Sequence, residues 1–496
     1  MKIISKDPLN NKVNTIHPMT PELLKEVYSP EKFRQRGHDL IDLLANHLDA
    51  TVHQKNDQVI KWNLPDDEKN FWIEFQEKGN IKDFFPEILK HTTHVHHPKY
   101  VGHQVCAPAP QAALAGLVSS FLNNGMAVYE MGMAPTAIER IVTDLLAKKL
   151  GFKEESRGIL TSGGTLANLT ALLAARKAKV AQDVWNEGSS KKLGVMVSAE
   201  AHYCVDRAAR IMGLGTAGII KVPVNSDFSI DTTLLEKYYK DAQNQGIDIF
   251  ALVGSAPSTA TGIYDDLTAL SSFCIEKDIW FHVDGAHGGA AIFSEKYKHT
   301  VKGIDKADSV VIDGHKMMLM SAITTALIFR EGQYSHTTFS QHADYLLQDS
   351  EEEDWYNLAK RTFECTKTMM SLQWFLLLKL YGEAVFDQNV TTLYDLGQAF
   401  GALIGKDPKL QLATTPMSNI VCFRFVEAGV SNEILDEINQ KIRTELLEEG
   451  TFYIVQTKIR GVHFLRTTIM NPFTTPAALE ELLTLIKQKG VALITA

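Results

Sequence analysis

Asp308-Ser309-Val310-Val311-Ile312-Asp313-Gly314-His315-Lys316-Met317-Met318 decides the fold. It predicts a buried β-strand, Ser309 to Ile312, that runs into a turn and delivers a lysine at its end. Ammonium groups avoid apolar strand ends unless they are paired or employed, and the ordinary alternative is a snorkelling loop lysine. The company upstream decides between the two. Trp280-Phe281-His282-Val283-Asp284-Gly285-Ala286-His287-Gly288-Gly289 is a second apolar strand, this one ending in a carboxylate. Glycine and proline punctuation separates the two runs, so both fit one parallel sheet with their C-terminal ends on the same edge.

A lysine and an aspartate at one sheet edge suit pyridoxal phosphate (PLP): the amine takes the aldehyde, and the carboxylate keeps the pyridine nitrogen protonated. The segments HVDGAHGG and DSVVIDGHKMM, in that order, resemble the group II PLP-dependent amino-acid decarboxylases, and the match runs from Phe33 to near the C-terminus. The resemblance implies an α/β fold of the PLP-dependent transferase type I, aspartate-aminotransferase-like. Its parts are a mainly parallel central sheet, a helical N-terminal segment and a small α+β C-terminal domain. The expected divisions are 1–95 for dimer packing, 96–385 for PLP binding and 386–496 for the small domain. The implied activity is decarboxylation of an L-amino acid to its amine and carbon dioxide.

Composition sets bounds. The chain has 496 residues, 45% hydrophobic and 22% charged, which is ordinary for a globular protein with a large core. Its 50 basic and 59 acidic residues give a net charge of −9 with no basic block, which argues against nucleic acid or an anionic membrane as partner. Cys106, Cys204, Cys274, Cys365 and Cys422 are scattered without a CxxC pair, the pattern of a reduced, cytoplasmic setting. MKIISKDPLNNK has no apolar core of a signal peptide, and no long apolar run predicts a membrane span.

Residues 1–19 read as an extended arm, and Thr20-Pro21 starts a helix. Phe33, Gly37, Leu40, Ile41, Leu44 and Leu48 follow helical spacing, which predicts a helix over 31–49. The resemblance implies that this region packs on a second subunit, making a homodimer with active sites at the subunit interface. His91, His94, His96, His97 and His103 form a cluster without cysteine or carboxylate at ligand spacing, so no metal site is expected. His97-Pro98-Lys99-Tyr100-Val101-Gly102-His103 resembles instead the family's histidine–proline motif, which places His103 and Gln104 as substrate-binding residues. Asn123, Asn124, Tyr129, Glu130, Pro135 and Glu139 resemble the segment that approaches the site, in part from the neighbouring subunit.

Gly158 to Asn168 reads as a Gly-rich turn opening onto a helix over 165–180, a place where backbone N–H groups and the helix end favour an anion. Strand and helix signals then alternate from 194 to 283, a βαβ rhythm. Thr324 to Phe329 reads as another strand, 333–357 as a polar acidic loop, and a long helix is expected from Thr366. Strands at Ile420–Phe425 and Gly461–Thr468 fall in the C-terminal part, with Phe464-Leu465-Arg466 matching the family's closing motif.

The resemblance assigns roles residue by residue. Lys316 carries PLP, Asp284 faces its ring nitrogen, His202 stacks on the ring and His315 assists proton transfer. Gly163, Gly164 and Thr165 cradle the phosphate, Ala286 and Thr259 line the cofactor, and Asp313 lies near the phosphate where many relatives carry asparagine. Cys204 stands where the family usually has serine, and Pro257 where it commonly has glycine. Tyr345 resembles the tyrosine of the family's catalytic loop, the donor of a proton to the α-carbon. A fold-type-I aminotransferase shares lysine and aspartate, but the His202, His315-Lys316 and Tyr345 set matches the decarboxylase pattern. For substrate, His103 and Cys106 resemble the diaminobutyrate enzymes, which favours a diamino acid. Tyr129-Glu130 resembles the acidic-amino-acid enzymes, and the N-terminal helix the aromatic ones.

Overall fold

Seven strands make the central sheet, in the order β1-β7-β6-β5-β4-β2-β3. They are β1 (Arg157–Thr161), β2 (Lys192–Ser198), β3 (Ile219–Val222), β4 (Ile247–Ser255), β5 (Trp280–Asp284), β6 (Ser309–Asp313) and β7 (Thr325–Phe329). The run from β3 through β2, β4 and β5 to β6 is parallel, and β7 runs against both of its neighbours, β6 and β1. Asp284 pairs in register with Ser255 and Val311, so the ends of β4, β5 and β6 meet on one edge. The computed structural model describes residues 21–56, 58–339 and 355–495.

The apolar runs are continuous because both faces of this sheet are covered. Side chains alternate between two clusters: Phe281, Val283, Val310 and Ile312 enter one, while Trp280 and Val311 enter the other. After two helices ahead of the sheet, α5 (Pro110–Leu122) and α6 (Tyr129–Lys149), the crossovers carry α7 (Gly164–Lys179), the short α8 (Val184–Glu187), α9 (Tyr203–Ile211), α10 (Leu235–Asn244) and α11 (Leu267–Lys277). Asp266 starts α11 by accepting from the amides of Thr268 and Ala269.

The sheet edge at β1 is closed by side chains rather than by a further strand. Leu160 donates its N–H to Glu139 Oε1 (2.9 Å), and its carbonyl accepts from Lys367 Nζ (2.6 Å). Glu139 and Lys367 pair with each other and are buried, so the ion pair stands in for a neighbouring strand.

Past β7 come α12 (Gln333–Thr337), α13 (Ser371–Tyr381) and α14 (Ala384–Gly405). The long helix expected from Thr366 begins instead at Ser371 and breaks at Gly382, whose φ of +67° ends it. A second, antiparallel sheet in the order β10-β11-β9-β8 joins β8 (Leu410–Leu412), β9 (Ile420–Phe425), β10 (Val455–Ile459) and β11 (Val462–Thr468). Helices α15 (Asn432–Glu449) and α16 (Pro476–Thr495) pack on it. These elements, with Asn56–Trp62, form one compact unit from Thr93 onward.

The other unit, within residues 1–55 and 63–92, holds α1 (Glu22–Val27), α2 (Pro30–Val52), α3 (Pro65–Lys78) and α4 (Phe84–Lys90). His91 fastens its last helices: the ring stacks on Phe71 at 4.3 Å and Nδ1 meets Glu68 at 2.9 Å. No helix among the described residues is long and apolar enough to cross a membrane.

Candidate active site

Lys316 lies just beyond the end of β6, and its Nζ sits 2.9 Å from Asp313 Oδ2. Asp313 ends the strand, 3% exposed, and also accepts from Thr325 Oγ1 at 2.5 Å. Burial alone pushes the Asp313 carboxyl up, but Lys316, His315 and the Thr325 hydroxyl outweigh it and hold it below its usual range. His315 is turned by the β7 entrance: its Nδ1 lies 3.0 Å from Thr324 O and 3.2 Å from Thr324 N.

Asp284 ends the adjacent parallel strand. Its Oδ1 accepts from the Ala286 amide at 3.2 Å, and its Oδ2 lies 3.8 Å from Cys204 Sγ. His202 caps α9 by accepting from the Cys204 amide at 3.3 Å, so one nitrogen is committed to the helix end. Ligating atoms of His202, Cys204 and Asp284 all fall within 4.8 Å of one another. Burial lowers the His202 imidazole pKa, against the opposing pull of Asp284, and burial raises the Cys204 thiol.

Gly163 and Gly164 open α7 in the same region. Gly163 has φ +113°, a conformation that suits glycine. A Cβ on Gly164 would stand 3.2 Å and 3.3 Å from the two Asp313 oxygens, so a side chain there would fill the space. The amides of Leu166 and Ala167 bond to Gly163 O, while those of Gly164 and Thr165 head the helix, where amides lack a partner in the turn below. A relay holds this end from behind. Trp280 Nε1 donates to Ser309 Oγ (2.9 Å), which meets His282 Nδ1 (2.7 Å); His282 Nε2 meets Asn168 Oδ1 (2.8 Å), and Asn168 Nδ2 donates to Gly164 O (2.8 Å).

An amine, a carboxylate, an imidazole and an anion-ready helix end therefore converge on one sheet edge. Comparison with known proteins bears on what they serve. The model described as the pyridoxal-dependent decarboxylase conserved domain matches residues 66–426. This chain belongs to the pyridoxal-dependent decarboxylases. An aromatic-L-amino-acid decarboxylase of Bacillus atrophaeus is 29% identical over 92% of this chain and 95% of its own length. An L-2,4-diaminobutyrate decarboxylase of Acinetobacter baumannii is 27% identical over 80% of both chains. The solved glutamate decarboxylase domain of a Vibrio parahaemolyticus diaminobutyrate-pyruvate transaminase and L-2,4-diaminobutyrate decarboxylase superposes with a TM-score of 0.79. It is 25% identical and covers 91% of this chain and 96% of that one.

The cofactor of the family is pyridoxal phosphate, and the residues present fit it. The Gly164 cradle leaves room where a Cβ would close it, helix amides head the space, and Lys316 and Asp284 stand on adjoining strand ends. Thr259 lies at the β4 edge, where its carbonyl accepts from Arg466 at 2.7 Å. Tyr345 lies outside the described residues.

The histidines of the cluster take separate partners. His96 donates to Pro108 O (2.8 Å), His97 contacts Asn56 O (3.2 Å), and His91 belongs to the helical unit. His103 lies 5.7 Å from the Tyr453 ring; partial burial, then the cations Arg466 and Arg443, lower its pKa. Gln104 Nε2, Arg466 Nε and Arg443 Nε are buried donors with no acceptor among the described residues. Reading the sequence missed Arg443 altogether and gave Arg466 no role. The FLR motif was the signal for Arg466; a lone arginine on a helix gave none for Arg443. Cys106 is buried and faces Met320 O at 3.3 Å, so it packs into the core.

Proposed function

We propose that Lys316, Asp284 and His202 carry decarboxylation of an L-amino acid at the C-terminal edge of β6, β5 and β2, with an acidic amino acid as the preferred substrate. The carrying observation is that Lys316 and Asp284 end adjoining parallel strands while His202 follows β2 within reach of Asp284. When bound, pyridoxal phosphate supplies a protonated ring that accepts the electron pair left as carbon dioxide departs. Lys316 would hold its aldehyde covalently and return as a base when substrate displaces it. Asp284 would keep the proton on the ring nitrogen, and its link to the Ala286 amide fixes the carboxylate's direction. His202, held neutral by burial, would lie against the ring face without adding charge. Gly163, Gly164 and Thr165 would bind the phosphate, with Ala286, Thr259 and Asp313 around it. His315 is positioned by Thr324 to move a proton near Lys316. Tyr345 is assigned by resemblance as the donor to the α-carbon.

The substrate preference rests on charge. Arg466 is buried with a donor unmet, and Arg443 and Gln104 add two more near His103. Buried donors want acceptors, and a substrate with two carboxylates supplies them. A diamino acid, favoured by the His103 resemblance, would set an ammonium against those two guanidiniums and is the second reading. Carbon dioxide release should be assayed across the twenty amino acids plus diaminobutyrate, ornithine and cysteine sulfinate. Highest kcat/KM for an acidic member supports the first reading; diaminobutyrate in first place sinks it. The exposed apolar face of α5 supports a homodimer with the sites at its interface.

A further inference from the structure

Asp313 puts a buried negative charge where the cofactor's phosphate would be received. Both of its oxygens face Gly164 at the head of α7, since a Cβ there would lie 3.2 Å and 3.3 Å from them. Three contacts prevent the carboxylate from turning away freely. Thr325 Oγ1 holds Oδ1 at 2.5 Å, Lys316 Nζ holds Oδ2 at 2.9 Å, and the Asp313 amide is tied to Ala286 O at 3.0 Å. His315 Nε2 is a weaker neighbour at 3.6 Å. The other ionisable groups that act on this carboxylate's surroundings are His287 after β5 and His202 and Cys204 at α9. Lys316 is thus the close cation, and Lys316 is also the amine that the cofactor's aldehyde must take.

We propose that Asp313 sets how loosely pyridoxal phosphate is held: its carboxylate opposes the phosphate once that site fills. The proposal rests on the assignment of the phosphate to the head of α7. Two like charges a few ångströms apart in a partly buried site oppose each other by an amount that shifts affinity roughly ten- to a hundredfold. A carboxamide at the same position keeps the shape and the Thr325 contact, loses the charge and gains an N–H donor for a phosphate oxygen.

The test measures dissociation constants of pyridoxal phosphate and of pyridoxal, which lacks the phosphate, for the cofactor-stripped parent, Asp313→Asn and Asp313→Ser. Cofactor release into buffer is timed for each, with thermal melts to confirm folding. Asp313→Asn is expected to bind pyridoxal phosphate roughly ten- to a hundredfold more tightly and to release it more slowly. Its affinity for pyridoxal should move by less than about threefold, because that ligand has no phosphate for the carboxylate to repel. Asp313→Ser, which folds with less demand on the Thr325 contact, should shift the same way. Unchanged or weaker binding of pyridoxal phosphate in both variants overturns the proposal, as does an equal gain for pyridoxal. A parent that binds pyridoxal as tightly as pyridoxal phosphate instead removes the phosphate assignment itself, and the proposal with it.

Discussion

Lys316, an ammonium at the end of an apolar strand, is held by an aspartate one turn back, at 2.9 Å. Lys316→Ala should abolish the visible absorbance of bound cofactor and lower turnover by several orders of magnitude, with an unchanged melting profile. Near-parent turnover in that variant would mean another amine carries the chemistry. Asp284, Lys316 and His202 were legible because each ends or follows a run of buried β-residues, and an ionisable side chain there is conspicuous. Gln104 gave only half its signal. Its place beside His103 was readable, but an unmet buried donor is a property of packing that no local sequence reveals. Cys106 is similar: two residues from Gln104 in sequence, it turns its thiol into the core, which packing alone decides.

The head of α7 shows what an element needs beyond its own sequence. Its glycines were readable, yet the relay that braces it joins Trp280, His282, Ser309 and Asn168 from three elements. Likewise β1 read as a turn, because a short strand containing Gly158 whose outer edge is closed by Glu139 and Lys367 has little local signature. The reversed direction of β7 is also silent, since alternation and β-propensity are the same for either direction. The relay makes a pH prediction. Burial pushes the His282 imidazole down to about 4, and His287 down to about 3. Unfolded histidine titrates near about 6.5, so below that pH the unfolded chain takes up protons that the folded rings refuse. Stability is therefore full above about pH 6.5 and falls as pH drops towards 4, by up to roughly 1.4 kcal/mol per unit for each ring. Denaturant titrations at pH 7, 6 and 5 measure this. His282→Gln should make the slope shallower, since one of the rings whose protonation burial opposes is gone. A slope the same in that variant as in the parent would show that His282 is not its source.

For the whole molecule, α5 states what the described chain lacks. Ala112 and Ala115 are buried on its inner side, where α13 packs. Leu114, Leu117, Val118 and Leu122 repeat at helical spacing on the other, each about half exposed. A helix apolar on both sides belongs inside something, and a stripe this continuous is rarely left to water. Exposed Met131 and Met133 at the start of α6 extend the same character. A second copy of the chain fits, because the segment beyond α5 leads back to the site: the Met126 amide bonds to Lys367 O, and Lys367 closes the β1 edge one residue before Thr161 and the Gly163 turn. Association would then brace the Gly163 turn through Lys367. Light scattering of the parent should give twice 55.2 kDa. The double variant Leu114→Asp/Leu117→Asp should shift towards the monomer mass and bind pyridoxal phosphate more weakly, with its far-ultraviolet spectrum retained. Charged residues cannot be buried unpaired across such a face, so a variant that stays at the parent mass places the interface elsewhere. A monomeric variant with parent affinity for the cofactor would show that the stripe joins subunits without bracing the site.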